Sequence, residues 1–80
     1  MNVNIEKLIG YENFAIENRK KFGAEIKRIR EGKGYNQEEL AEMMNVSRST
    51  ISKIENGKFN FSIDYLSKFS FFLEFQITLI

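Results

Sequence analysis

The sequence predicts a mainly α domain of four to five helices that ends in a single β-strand. Three observations point there. Apolar residues recur at helical spacing in several separate segments, residues suited to helix caps precede most of those segments, and after Glu74 the apolar period drops from about 3.6 to about 2. No proline occurs, so caps and glycines must set the helix boundaries. Eighty residues make one domain, and a chain of this size buries only about 60 % of the surface its unfolded form exposes. Such marginal chains often gain stability from a disulfide, a metal or a partner subunit.

Residues 1–12 are expected to form a loose arm or a short helix ended by Gly10, since Val3, Ile5, Leu8 and Ile9 sit in a polar setting. From about Asn13 the spacing turns helical. Phe22, Ile26 and Ile29 make one apolar stripe, and Gly32 and Gly34 stop the helix. Asn36 followed by Glu39 has the pattern of a capping box, opening a short helix with Leu40, Ala41 and Met44 facing inward. A tight turn at Met44–Val46 follows, with Asn45 suited to a left-handed backbone. Ser47 caps a second short helix over residues 48–55, with Ile51 and Ile54 inward and Gly57 as its stop. Ser62 caps a further helix to about Leu73, with Ile63, Leu66 and Phe69 inward. These elements give a helical domain over residues 13–73 and a tail over residues 74–80. In the tail Phe75, Ile77 and Leu79 alternate with Gln76 and Thr78 as in a strand.

Composition excludes several functions. The chain has no cysteine and no histidine, which removes thiolate and imidazole ligands for zinc and the usual activated nucleophiles. No catalytic residue, metal or cofactor is expected, nor a small-molecule substrate. Glu38, Glu39 and Glu42 complement the positive end of their short helix rather than form a catalytic pair. No apolar run is long enough to span a bilayer and no signal-peptide pattern opens the chain, so the expectation is a cytoplasmic protein without a membrane role. The net charge of +1 hides separate patches. Residues 17–33 carry seven basic side chains against three acidic ones, residues 34–46 carry only acids, and residues 47–58 turn basic again. Such patches are what a polyanion senses.

Two short helices joined by a turn of three to four residues are the informative feature. Neither is long enough to be stable alone, so packing must fix their mutual pose. The second then presents a polar outer face of Arg48, Ser49, Ser52 and Lys53, suited to base edges and phosphates in a major groove.

The run from Asn36 to Lys58 resembles the Xre/Cro type of phage-repressor-like helix-turn-helix. Its most specific pieces are Gln37-Glu-Glu-Leu-Ala and Ser47-Arg-Ser-Thr-Ile-Ser-Lys-Ile-Glu-Asn-Gly. The resemblance covers roughly residues 22–73 and implies a lambda-repressor-like fold that binds double-stranded DNA. It implies that Gln37 contacts the DNA backbone and steadies recognition side chains. Arg48, Ser49 and Lys53 would read bases, with Ser52 a weaker candidate, and Thr50 would lie nearer the phosphates. Asn56 and Lys58 would grip the backbone, and Arg30 and Glu55 would form an ion pair holding the recognition helix at its angle. Asn45 and Phe61 depart from the family's frequent glycine and proline at those places.

The ending from Leu73 to Leu79 resembles the C-terminal strand of HipB-type antitoxins. That resemblance implies a homodimer closed by paired strands, and a toxin as a possible protein partner. Six of the eight phenylalanines follow residue 58, so Phe71, Phe72, Phe75, Ile77 and Leu79 are the expected dimerisation residues, with a fold back onto the chain's own domain as the competing arrangement. The expected function is a sequence-specific repressor acting as a twofold dimer on a palindromic operator. The alternative is a helical protein-interaction adaptor without specific DNA binding.

Overall fold

The computed structural model describes residues 4–60 and 62–78. Four helices follow one another: α1 (Ile5–Gly32), α2 (Gln37–Met44), α3 (Arg48–Glu55) and α4 (Ile63–Leu73). Each begins at a polar cap. The side chains of Asn4, Asn36, Ser47 and Ser62 accept from the backbone N–H groups of Lys7, Glu39, Thr50 and Tyr65 respectively. At α2 the capping box is complete, because Glu39 also accepts from the backbone N–H of Asn36.

The first helix corrects the expectation for the N-terminus. It is continuous over 28 residues, so residues 5–12 are neither a loose arm nor a separate helix. Gly10 lies inside it, on an open surface. A glycine within a helix costs about 1 kcal/mol relative to alanine but removes no hydrogen bond, so it weakens a helix without breaking it. The cap at Asn4 and Glu6 in the first turn favour the start that is seen. At the other end Lys33 returns N–H bonds to the last turn and Gly34 takes a positive φ of 82°.

The core sits where the four helices meet. Ile26 of α1, Leu40, Ala41 and Met44 of α2, Ile51 and Ile54 of α3, and Phe69 and Leu73 of α4 are all buried. Burying each of these side chains other than that of Ala41 contributes about 1.5–3 kcal/mol. Ile63 departs from the inward stripe expected of it and stands exposed. It occupies the first turn of α4 and, with Leu66, borders an open trough against α1.

The C-terminal tail is the second correction. Among the described residues there is no strand. A strand needs a second edge to satisfy its backbone, and none of the described residues supplies one. Instead Glu74 takes a left-handed conformation (φ 58°, ψ 55°) that ends α4 and turns the chain. The N–H of Phe75 then donates to the carbonyl of Ser70, and the Ser70 hydroxyl donates to the carbonyl of Phe75. Phe72 and Phe75, expected at a dimer contact, pack half-buried against the chain's own core. Phe71 and Ile77 remain exposed, and Leu79 lies outside the described residues.

Candidate nucleic-acid interface

The helices α2 and α3 meet at a corner fixed by the backbone of Asn45. This residue closes α2 with a left-handed conformation (φ 56°, ψ 48°). Asparagine tolerates this region better than most side chains. Ser47 follows in extended conformation and starts α3, so the turn is as short as the spacing requires. Its hydroxyl also lies 2.8 Å from that of Thr50, which leaves Thr50 half-buried in the first turn of α3.

The outer face of α3 is polar and open. Arg48, Ser49, Ser52 and Lys53 line one shallow depression together with Asn56 and Lys58 from the loop that follows. Arg48, Ser49, Lys53, Asn56 and Lys58 are exposed, and Ser52 is half-buried. The loop is not slack. The side-chain amide of Asn56 donates to the Ser52 carbonyl at 2.8 Å, and the N–H of Lys58 donates to the Lys53 carbonyl at 2.8 Å. Gly57, with φ 70°, lets the chain pass beside α1, where a Cβ would meet Lys20 backbone at 2.8 Å. All six side chains therefore project from a backbone held by internal bonds. They present donors, hydroxyls and positive charge to one side.

Behind this face lies a buried polar cluster. Arg30 of α1 and Glu55 at the end of α3 form a two-pronged pair at 2.6 Å and 3.0 Å, with side chains 8 % and 2 % exposed. The Glu55 carboxylate holds the Arg30 guanidinium above its ordinary pKa, while burial pulls it the other way. A third guanidinium N–H donates to the carbonyl of Tyr35 at 2.8 Å. The amide of Gln37 donates to the same carboxylate at 3.0 Å. One carboxylate thus gathers the first helix, the start of α2 and the end of α3. No buried side-chain donor or acceptor among the described residues is left without a partner. Gln37, expected to contact the DNA backbone and steady recognition side chains, gives its amide N–H to this carboxylate. It also lines an open recess with Arg48 and Glu38.

Gly23 is a contributor that the spacing of apolar residues did not indicate. It is buried in α1, and a Cβ built there would lie 2.2 Å from the Ile54 carbonyl oxygen and 2.8 Å from that of Glu55. Its absence of a side chain lets α1 touch the end of the presented helix. The available signal was a glycine inside a helical pattern, which calls for a packing reason.

Among the described residues no cluster of acidic side chains is arranged to hold a metal ion, and no helix is long and apolar enough to cross a membrane. Residues 26–78 match a protein-family model described as helix-turn-helix. A comparison with curated proteins finds no match. Among solved structures, the chain is similar to the restriction-modification controller protein C.AhdI from Aeromonas hydrophila. The two share 30 % identity with a TM-score of 0.72, over 75 % of this chain and 91 % of that one.

Proposed function

The chain belongs to the Xre-type, lambda-repressor-like helix-turn-helix family, and from that premise we propose a regulator of transcription that inserts α3 into the major groove of double-stranded DNA. The observation that carries the reading is the joint placement of Arg48, Ser49, Ser52, Lys53, Asn56 and Lys58 on one open face over a buried anchor. Arg48 and Lys53 are the side chains for base edges, where arginine or lysine against guanine discriminates by about 1–3 kcal/mol. Ser49 and Ser52 supply short hydroxyls beside them. Thr50, Asn56 and Lys58 serve the phosphates, which position the protein without reading sequence. Gln37 acts through Glu55, holding the start of α2 to the end of α3.

The regulator works as a twofold dimer and represses from a palindromic operator, its half-sites one helical turn or a multiple apart. Likeness to a restriction-modification controller protein supports the regulatory role. A toxin partner, the finer expectation, rests on the likeness of the tail alone, and no strand forms among the described residues.

The test is selection of bound duplexes from a random-sequence library, with the wild type, Arg48→Ala and Lys53→Ala. The expected outcome is a palindrome enriched by the wild type and lost or relaxed in both variants. A folded protein that enriches no sequence would instead favour the adaptor reading, in which Arg48 and Lys53 are dispensable.

A further inference from the structure

The first half of α1 exposes several large apolar side chains. Ile5, Leu8, Ile9, Tyr11, Phe14 and Ile16 are between 39 % and 69 % exposed. An open trough continues from this surface along α1, walled by Ile63 and Leu66 of α4, and runs on to Phe75 and Ile77 of the tail. Leu8, Tyr11 and Phe22 share the side of α1 that borders this trough, whereas Ile5, Ile9 and Ile16 lie on another side of the helix, and with Ile63 and Ile77 these trough residues are between 42 % and 68 % exposed.

The spacing along the trough says what fits it. Leu8, Tyr11, Ala15, Asn18 and Phe22 follow each other at alternating steps of three and four residues, the seam by which one helix packs along another. We propose that a second copy of this chain covers the seam, its α1 running antiparallel to the first, and this rests on the dimeric reading above. One register is favoured by charge. When Tyr11 lies against Phe22 of the second copy and Ala15 against its Asn18, Glu12 meets its Arg19. The twofold axis repeats that pair, so a single register joins both opposite charges. Asn18 is a polar residue within the seam, a device that fixes register at some cost in stability. This pairing puts the axis between residues 16 and 17, so Ala15 in the seam lies near its own symmetry mate. The dimer contact is thereby assigned to α1 and the start of α4 rather than to the phenylalanines of the tail.

The chain has no cysteine, which permits a direct test. Ala15→Cys, treated with a short bismaleimide in the absence of DNA, is expected to give a covalent dimer, and Phe71→Cys is not. Independently, Glu12→Arg and Arg19→Glu are each expected to weaken dimerisation about tenfold in sedimentation equilibrium, with the double reversal restoring it. Circular dichroism confirms that each variant keeps its helix content. A dimer that crosslinks through Phe71→Cys and ignores both reversals would overturn this surface while leaving the dimeric regulator intact. A wild type that stays monomeric at tens of micromolar would overturn it as well, and operator selection would then show whether DNA binding survives alone.

Discussion

At the level of single residues, Glu55 has the widest reach. Its carboxylate satisfies Arg30 and Gln37 in a buried site, so it fixes where α3 lies without touching the outer face. Breaking a buried pair from one side leaves the other charge uncompensated, at about 3–5 kcal/mol. Glu55→Gln is therefore expected to lower unfolding free energy by a few kcal/mol in urea titration, whereas Arg30→Met with Glu55→Leu should cost less than the single change. Glu74 points the other way. It holds a left-handed backbone with a side chain, and its contact with Lys33 is long and exposed at 3.8 Å, worth little. Glu74→Gly is expected to raise stability by about 0.5–1 kcal/mol, seen as a higher midpoint in thermal unfolding. The ion pair was legible in advance only through family resemblance, because nothing in the spacing of Arg30 and Glu55 announces a contact across 25 positions. The third partner, Gln37, was not legible as such. A glutamine on the first turn of a helix fits a phosphate contact and an internal bond equally well.

Helices and turns show a different balance between sequence and structure. The short elements were legible to the residue, since Asn36, Ser47 and Ser62 each cap the helix that follows. Caps act locally and are written locally. The long helix was not, because Gly10 carries a stop signal that a cap at Asn4 outweighs. The tail misled for a related reason: alternation of Phe75, Ile77 and Leu79 reports two faces of unlike polarity, while strand formation depends on a neighbour that the sequence does not name. Between elements, Gly23 sets the distance of α1 from α3. Gly23→Ala is expected to destabilise the fold by about 1–3 kcal/mol despite its better helix propensity, because its Cβ meets backbone that cannot swing aside. A midpoint unchanged or raised in urea would show that the two helices can separate without loss.

For the molecule as a whole, electrostatics separates DNA binding from its rival. Each phosphate neutralised releases counterions, so affinity should fall steeply as salt rises. Lys58→Ala is expected to weaken binding to all sequences alike and to reduce the slope of log affinity against log salt by about 1, measured by fluorescence anisotropy. Binding indifferent to salt would point to a protein surface as the partner.

The extent of α1 also bears on how long the protein lasts. Its 28 residues lie along a molecule 48 Å in its longest dimension, and its stretch through residue 21 carries Lys7, Arg19, Lys20 and Lys21 beside exposed apolar side chains. Helical segments with few buried contacts open first, and opened segments are where proteases cut. On the pairing proposed for α1, a solitary copy is expected to be cut sooner than a paired one, whose same stretch is shielded. On that pairing, turnover is expected to fall as concentration rises, so that a gradual increase in synthesis becomes an abrupt increase in the amount of regulator.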